Sequence, residues 1–481
     1  MQSDSDFVPE ESDTISTKST ECPCDKSIAS ISTIIESVFD TWEEEDVNEL
    51  SNNIYQLFDE YHTINVANMS SPKFVPDMLE HVSQIIFQDL LAGSLCEQDD
   101  YEELYEFVEN TVEVWYDFAP YVRRSISYGS TIYEKTKSNN VIDELTQKIT
   151  ALQNIPQPKQ KSKEWYEFRH GMISASNLWK ALGSEANQNS LIYEKCQALE
   201  STSSQSYYSN NTESALHWGN KYEQVTVMIY ENMFNTQVGE FGCIRHPSYD
   251  FIGASPDGIN IDPTNQRYGR MLEIKNVVNR DITGIPKEDY WIQTQIQMEV
   301  CDLEECDFVE TRFLEHPTSD AFYADDEHDY KGVILCFIER TSMDKITTKS
   351  TSGPTYIYLP VDAPLTSEAI EEWTQQQKTI QKNNGLVLLE TQYWYLAEFS
   401  CVYIPRNKNW FDAIIPKVDN IWKTIQTERV SGCDHRAPKK KFPRNTIQVS
   451  NDGSSSSYMV QNMPLTNSVC LIKLDEDGNV C

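Results

Sequence analysis

The chain has 481 residues, 39 basic and 75 acidic, for a formal net charge of -36 at pH 7; at 39% hydrophobic and 11% aromatic content it can form two or three domains with a sizeable core. No run of about 18 apolar residues occurs, so no membrane-spanning segment is expected. The acidity argues at first against a nucleic-acid partner, because neutralising phosphate takes Lys and Arg, but it is unevenly placed: residues 1–150 hold 31 acids and 8 bases, the rest 44 acids and 31 bases.

Residues 1–25 are rich in Ser, Thr, Asp and Glu and read as a disordered acidic leader, with neither the basic start nor the apolar stretch of a secretory signal. Residues 26–150 take on a helical pattern. Ile31, Ile34, Ile35, Val38 and Phe39 recur at three- and four-residue spacing, as do Leu104, Phe107 and Val108, followed by Val112, Val114 and Trp115 in a wider apolar face. Acidic runs such as Glu43-Glu44-Glu45-Asp46 are expected to be solvated helix faces. This third reads as an acidic helical domain, either a structural accessory or a protein-binding element. Residues 151–163, with two prolines and several Gln and Lys, read as a linker. The twelve cysteines are scattered. Only Cys22 with Cys24 and Cys301 with Cys306 lie close, without a His at zinc spacing, so reduced thiols are expected.

Residues 164–430 carry the chemistry. Glu164-Trp165-Tyr166-Glu167-Phe168-Arg169-His170-Gly171 suits a helix ending at Gly171, with Ser174 or Ser176 as the next N-cap. Arg169 and Ser176 would then flank a helix start, where phosphate binds readily. Trp165 can stack on a base or fill a core. Leu216 to Tyr230 reads as a helix whose Glu223 is either a third site carboxylate or a solvated glutamate. Phe251-Ile252-Gly253-Ala254-Ser255 is a short strand running into the turn Pro256-Asp257-Gly258. Ile259 and Ile261 begin a second strand, and Arg270 to Lys275 returns. Such a hairpin brings Asp257 and Glu273 together, and two carboxylates at that distance repel unless they share a cation. Glu273 and Lys275, two apart on a strand, face the same way, while Ile274 faces the core. A lysine there can orient a metal-bound water and offset charge on a phosphate. An ordinary Glu/Lys pair on a surface hairpin is the alternative for the bare Glu-x-Lys. Downstream, Tyr290, Gln293 and Gln297 share one helix face, and amides on a mostly buried helix need partners. Strands are expected at Val333–Ile338 and Thr355–Leu359, a helix over 366–383, a strand over Gln392–Tyr403 and a helix over Trp410–Ile425. Residues 431–481 read as a polar tail whose basic run Arg436–Arg444 is a nuclear-import signal, a phosphate-binding segment or plain solvated chain.

Five segments, Trp165–Ser176, Trp218–Glu223, Ser255–Gly258, Leu272–Lys275 and Tyr290–Gln295, stand in an order that resembles the λ-exonuclease or YqaJ-type viral recombinase nucleases of the PD-(D/E)xK superfamily, with a looser likeness to large-DNA-virus members through Trp394–Trp422. The resemblance implies an α+β fold, a mixed β-sheet flanked by helices, preceded here by the acidic helical region. It implies a Mg²⁺ site, with Mn²⁺ able to substitute. Asp257, Glu273 and the Ile274 carbonyl would be metal ligands, with Glu223 holding the metal directly or through water. Lys275 would position the attacking water, supported by Gln293, with Tyr290 on the same helix. Arg169 and Ser176 would grip a terminal DNA phosphate, Trp165 the end nucleotide, and Ser255 would sit beside the site. The activity implied is 5′→3′ degradation of one strand from duplex DNA ends in viral recombination, replication or repair. The alternatives are an endonuclease of the same superfamily acting on branched or single-stranded DNA, and a non-catalytic DNA- or protein-binding virion component. Implied partners are DNA ends, a single-strand annealing protein and further copies of the chain, with no membrane. The implied location is the viral replication site in the host cytoplasm, with packaging in the virion as a further option. The acidic N-terminal segment has no counterpart in the compact phage enzyme and is expected to alter assembly or to cover the DNA channel as a mimic of DNA.

Overall fold

The computed structural model describes residues 39, 42–127, 137–158, 162–199, 214–339 and 353–438. The acidic leader, the apolar positions Ile31 to Val38, Cys22 and Cys24, and residues 439–444 of the basic run lie outside the described residues. All elements named below belong to one compact unit ending at Ala437.

Three helices come first: α1 (Glu44–Asn65), α2 (Phe74–Ala92) and α3 (Tyr101–Phe118). A capping box between Glu43 and Asp46, with Glu44 and Glu45 in the first turn, suits the positive end of α1. The helices close on Leu50, Ile54, Phe58, Met78, Val82, Leu104, Val108, Val112 and Trp115. Val114 is 52% exposed, contrary to its expected place on the apolar face of α3. Val112 and Trp115 are three apart and share that face, and Val114 falls about 200° round the helix from Val112.

The chain then departs from the all-helical expectation. β1 (Ile126–Ser127) pairs with Tyr403 and Val402 of the last strand, a partner that local pattern cannot reveal. α4 (Asn139–Asn154) runs into the segment read as linker, and its Ile149 and Leu152 join the core formed by Ile292, Trp410 and Phe411; Met69 and Phe74 join it too.

The remaining elements are α5 (Lys163–His170), β2 (Ile173–Ser174), α6 (Ala175–Leu182), α7 (Glu185–Cys196), α8 (Ala215–Phe234), β3 (Val238–Gly239), β4 (Ile244–Arg245), β5 (Ile252–Ala254), β6 (Gly258–Asn260), β7 (Met271–Asn276), α9 (Glu288–Cys301), β8 (Glu305–His316), α10 (Ser319–Ala324), β9 (Lys331–Glu339), β10 (Thr355–Tyr358), α11 (Ser367–Asn383), β11 (Leu386–Pro405) and α12 (Lys408–Ser431). The larger sheet runs β10-β9-β11-β8-β7-β6-β3, with β1 beside β11; a second sheet runs β2-β5-β4. Among the described residues only β7 with β8, and β2 with β5, pair in parallel, so the fold is α+β with a mixed sheet and helices against it. Among the described residues Cys96, Cys196, Cys243, Cys301, Cys306, Cys336, Cys401 and Cys433 are free thiols, and no helix is long and apolar enough to cross a membrane.

Candidate active site

The site grows from the point where β6 leaves β7. Gly258 pairs with Leu272, and beyond Leu272 that edge of β7 has no strand partner. The N–H of Ile274 therefore donates instead to Asp257 Oδ2, at 2.7 Å. In an extended strand the N–H and C=O of one residue point to the same edge, so the Ile274 carbonyl faces the Asp257 side as well. Glu273 and Lys275 share the other orientation. The Glu273 side chain is 1% exposed, and its Oε1 accepts from the Lys275 ammonium.

Helix α9 completes the arrangement. Gln293 Nε2 donates to Glu273 Oε1 at 2.6 Å, while Gln293 Oε1 stands 3.4 Å from Lys275 Nζ. One turn on, Gln297 Nε2 donates to Glu273 Oε2 at 2.7 Å and to the Ser255 carbonyl at 3.2 Å. The Tyr290 ring lies 5.0 Å from Lys275 Nζ and 5.5 Å from the guanidinium of Arg280. The amino groups of both amides thus find the two oxygens of one buried carboxylate, while Gln297 Oε1 is buried without a partner.

The electrostatics follow from crowding acids around one ammonium. Burial, then Glu273 and Glu223, push the Asp257 carboxyl well above the usual carboxylate range, against the opposing pull of Lys275 and the Ile274 N–H. Burial works against charge on Lys275, but Glu273 and Asp257 outweigh it and hold the ammonium above its ordinary value. Glu223, half-buried on α8, is therefore near enough to act on Asp257. Helix α8 is pinned to β7 through Asn276, which donates to the Gly219 carbonyl at 2.8 Å and accepts from Thr226 at 2.7 Å. Among the described residues no three His, Cys, Asp or Glu side chains form a set able to hold a metal as they stand. The donors suit a hard divalent cation in kind: they are oxygens, they outnumber the positive charge, and a charge on Asp257 is disfavoured by its present surroundings.

A small cleft beside this cluster is lined by Arg169, Ser174, Ala175, Ser176, Ser255, Gln293 and Gln297. Three of the expected DNA-contacting residues therefore meet the amide helix at one place. As expected, α5 ends at Gly171 and Ser174 stands at the N-cap of α6. The Ser174 hydroxyl does not cap. It takes a bond from Arg169 at 3.3 Å and lies 3.2 Å from Ser176 Oγ. Ser255 Oγ is buried without a hydrogen-bond partner. Trp165 lies under the Arg169 guanidinium at 4.7 Å, so its face is already covered by a cation.

Several residues escaped the sequence. Lys195 donates to the Arg169 carbonyl at 2.9 Å and Arg429 to the His170 carbonyl at 2.7 Å, so two cations from α7 and α12 hold the negative end of α5. Burial lowers Lys195 to about 8. Glu310 stands beside Lys275 in register and binds Arg280. Lone cations far apart in sequence carry no local signal. Gln297 did, through its helical spacing from Gln293.

The region holding this geometry matches a known family. Residues 164–304 match the YqaJ-like viral recombinase domain, and that stretch is called the YqaJ-like domain below. The chain is 28% identical over 341 residues to an uncharacterized protein, R354, of Acanthamoeba polyphaga mimivirus, across 65% of this chain and 60% of that protein. It thus spans about three-fifths of that relative's length. Among solved structures it is similar to an alkaline exonuclease, LHK-Exo, from Laribacter hongkongensis (TM-score 0.32, 18% identity, 56% of this chain and 94% of that chain) and to LHK-Exo in complex with dAMP (TM-score 0.31, 19% identity, 56% and 94%). The YqaJ-like domain contains every expected site residue, from Trp165 to Gln293. Lys195 and the whole of α9 also lie within it, whereas Arg429 and Glu310 lie outside.

Proposed function

We propose that the chain is a metal-dependent deoxyribonuclease that degrades one strand of duplex DNA from a 5′ end during viral DNA recombination, replication or repair, built on a PD-(D/E)xK-type core. The observation that carries this reading is the buried Glu273 carboxylate, gripped by Lys275, Gln293 and Gln297 and set beside Asp257, within a stretch matching the YqaJ-like recombinase family. Such a cluster of buried acids around one cation is costly, and clusters of this kind gather at functional sites.

Asp257, Glu273 and the Ile274 carbonyl would hold Mg²⁺ or Mn²⁺, with Glu223 directly or through water. The bound ion would lower the pKa of a water and screen charge on the phosphate. Lys275 would orient the attacking water and offset charge on the phosphate, and Gln293 and Gln297 would hold Glu273 in place. Arg169, Ser174, Ser176 and Ser255 line a small polar cleft that would receive a terminal phosphate, and Trp165 backs Arg169.

The test uses linear duplex DNA labelled separately at each 5′ and 3′ end, with Mg²⁺, alongside Lys275→Ala and closed circular DNA. Release of 5′ label as mononucleotides, absent from circles and lost in the variant, supports the reading. Cutting of circles replaces it with an endonuclease. No cleavage of either by folded protein replaces it with a binding protein.

A further inference from the structure

The N-terminal helical region reaches the start of α9 through Arg124 and Ser70. Arg124 follows α3 and is 7% exposed. Its Nε donates to the Ser70 carbonyl at 3.1 Å, and its Nη2 donates to the Pro286 carbonyl at 2.6 Å. Its own carbonyl accepts from the indole of Trp291 at 2.7 Å, and its guanidinium lies 5.7 Å from that ring. Ser70 closes the loop by donating to Glu288 Oε1 at 2.8 Å. Pro286 and Glu288 flank Lys287, the N-cap of α9, and Trp291 is on its first full turn. Trp291 is also fixed from behind by Trp410, edge-on at 5.0 Å. Two residues beyond Trp291 is Gln293, and four beyond that is Gln297.

We propose that Arg124 is a positioning residue for α9: the N-terminal region sets the rotation and rise of this helix, and hence whether the amides of Gln293 and Gln297 meet both oxygens of Glu273. The turnover consequence rests on the nuclease reading; the structural consequence does not. A helix start has four unsatisfied N–H groups and frays readily. Here the entry to α9 is held at Pro286, Glu288 and Trp291 by two residues, Ser70 and Arg124, outside the YqaJ-like domain. Arginine suits this position because its fork spans two carbonyls from distant segments, which the compact ammonium of lysine does less well. Burial lowers the pKa of Arg124 to about 10, with Glu288 opposing, so it stays charged at neutral pH. Displacement of catalytic groups by about 1 Å costs up to about a hundredfold in rate. A partner that grips the N-terminal helices would act on the site by this route rather than by lying across it.

The experiment compares the full chain with Arg124→Ala, Arg124→Lys and Arg123→Ala. Arg123 pairs with Glu113 at the surface and serves as the neutral control. Hydrogen exchange is read over residues 286–297 and over 50–65 and 104–115, and kcat and KM are read on 5′-labelled duplex with Mg²⁺. The expected result is faster exchange in 286–297 only, a kcat about tenfold lower or more with KM little changed, and partial recovery in Arg124→Lys. Unchanged exchange at α9 overturns the proposal, as does an equal rise across α1 and α3, which marks a merely structural residue. A wild-type chain without turnover removes the nuclease reading but leaves the exchange result to decide the role of Arg124.

Discussion

Two buried polar side chains show how differently the helical region and the YqaJ-like domain handle polarity. His62, inside the N-terminal bundle, is 1% exposed, and neither ring nitrogen has a hydrogen-bond partner. It stacks on Tyr121 at 4.3 Å and meets Phe74 edge-on at 5.0 Å. Its surroundings treat it as an aromatic ring, and burial drops its pKa to about 4. Glu273 is equally buried, yet three side chains from two elements address its oxygens. The bundle packs its buried polar group as a neutral ring; the domain surrounds its own with donors. Asp307, fully buried, is likewise held by Arg267, Arg270 and Tyr230, so donors alone do not mark a site; Glu273 stands apart in sharing its surroundings with a second acid, Asp257.

The largest way to sharpen that contrast is Lys275→Ala. Removing the ammonium takes away the cation poised for charge at the phosphate, and kcat is expected to fall about 10²–10³-fold in the end-labelled assay while the two amides keep Glu273 folded in place. A comparable loss from His62→Leu would erase the distinction.

His62 should instead report through stability. With a folded pKa near 4 and an unfolded value of 6.5, the unfolded chain binds more protons between those values. The contribution is therefore complete above about pH 6.5, falls as pH drops through the window and levels off below about 4, a loss of roughly 3 kcal/mol. Denaturant unfolding from pH 7 to pH 4.5 checks this: the wild type should lose more than His62→Leu, and parallel curves would refute the neutral-ring account.

The same contrast explains what could be read from the chain. Asp257, Glu273, Lys275 and Gln293 were legible because their grouping follows from local geometry, a hairpin for two of them, strand alternation for the third and one helix face for the last. Most of the long elements were legible from periodicity for the same reason. What was not legible is tertiary. Nothing in Ile126-Ser127 says that it pairs with Tyr403 and Val402, and nothing around Ile149 says that α4 belongs to the core of the later domain. Residues 1–150 share the later core: deleting them would strip Met69, Phe74 and Ile149 from it, so a deletion would disturb that core whether or not the acidic segment mimics DNA. The fate of Lys275 was also hidden. A sequence shows a lysine two residues from a glutamate, but not that the two are bonded to each other, nor that no three-acid metal set stands ready among the described residues.

Gln297→Leu should carry a smaller cost, about 2 kcal/mol of unfolding free energy, since Glu273 Oε2 loses its donor in a dry site while the helix keeps a well-matched apolar residue. The reading is sharper if divalent cation recovers part of that loss, because an ion can satisfy the orphaned oxygen and leucine cannot.

The smallest effect is expected on α3, where the bundle can be split residue by residue. Val112 is 2% exposed and packs in the core, so Val112→Ala removes two methyls from a filled space and should cost about 1–3 kcal/mol. Val114, two residues on, is 52% exposed, and Val114→Ala should change stability by no more than about 0.5 kcal/mol. Alanine is also the better helix former, which pushes the second value toward zero or slight stabilisation. Both substitutions make the same chemical change on one helix, so propensity cancels and the difference isolates burial. Equal costs at the two positions would mean that the exposed side of α3 is covered in solution, and that a surface of the N-terminal region belongs to an interface with another molecule.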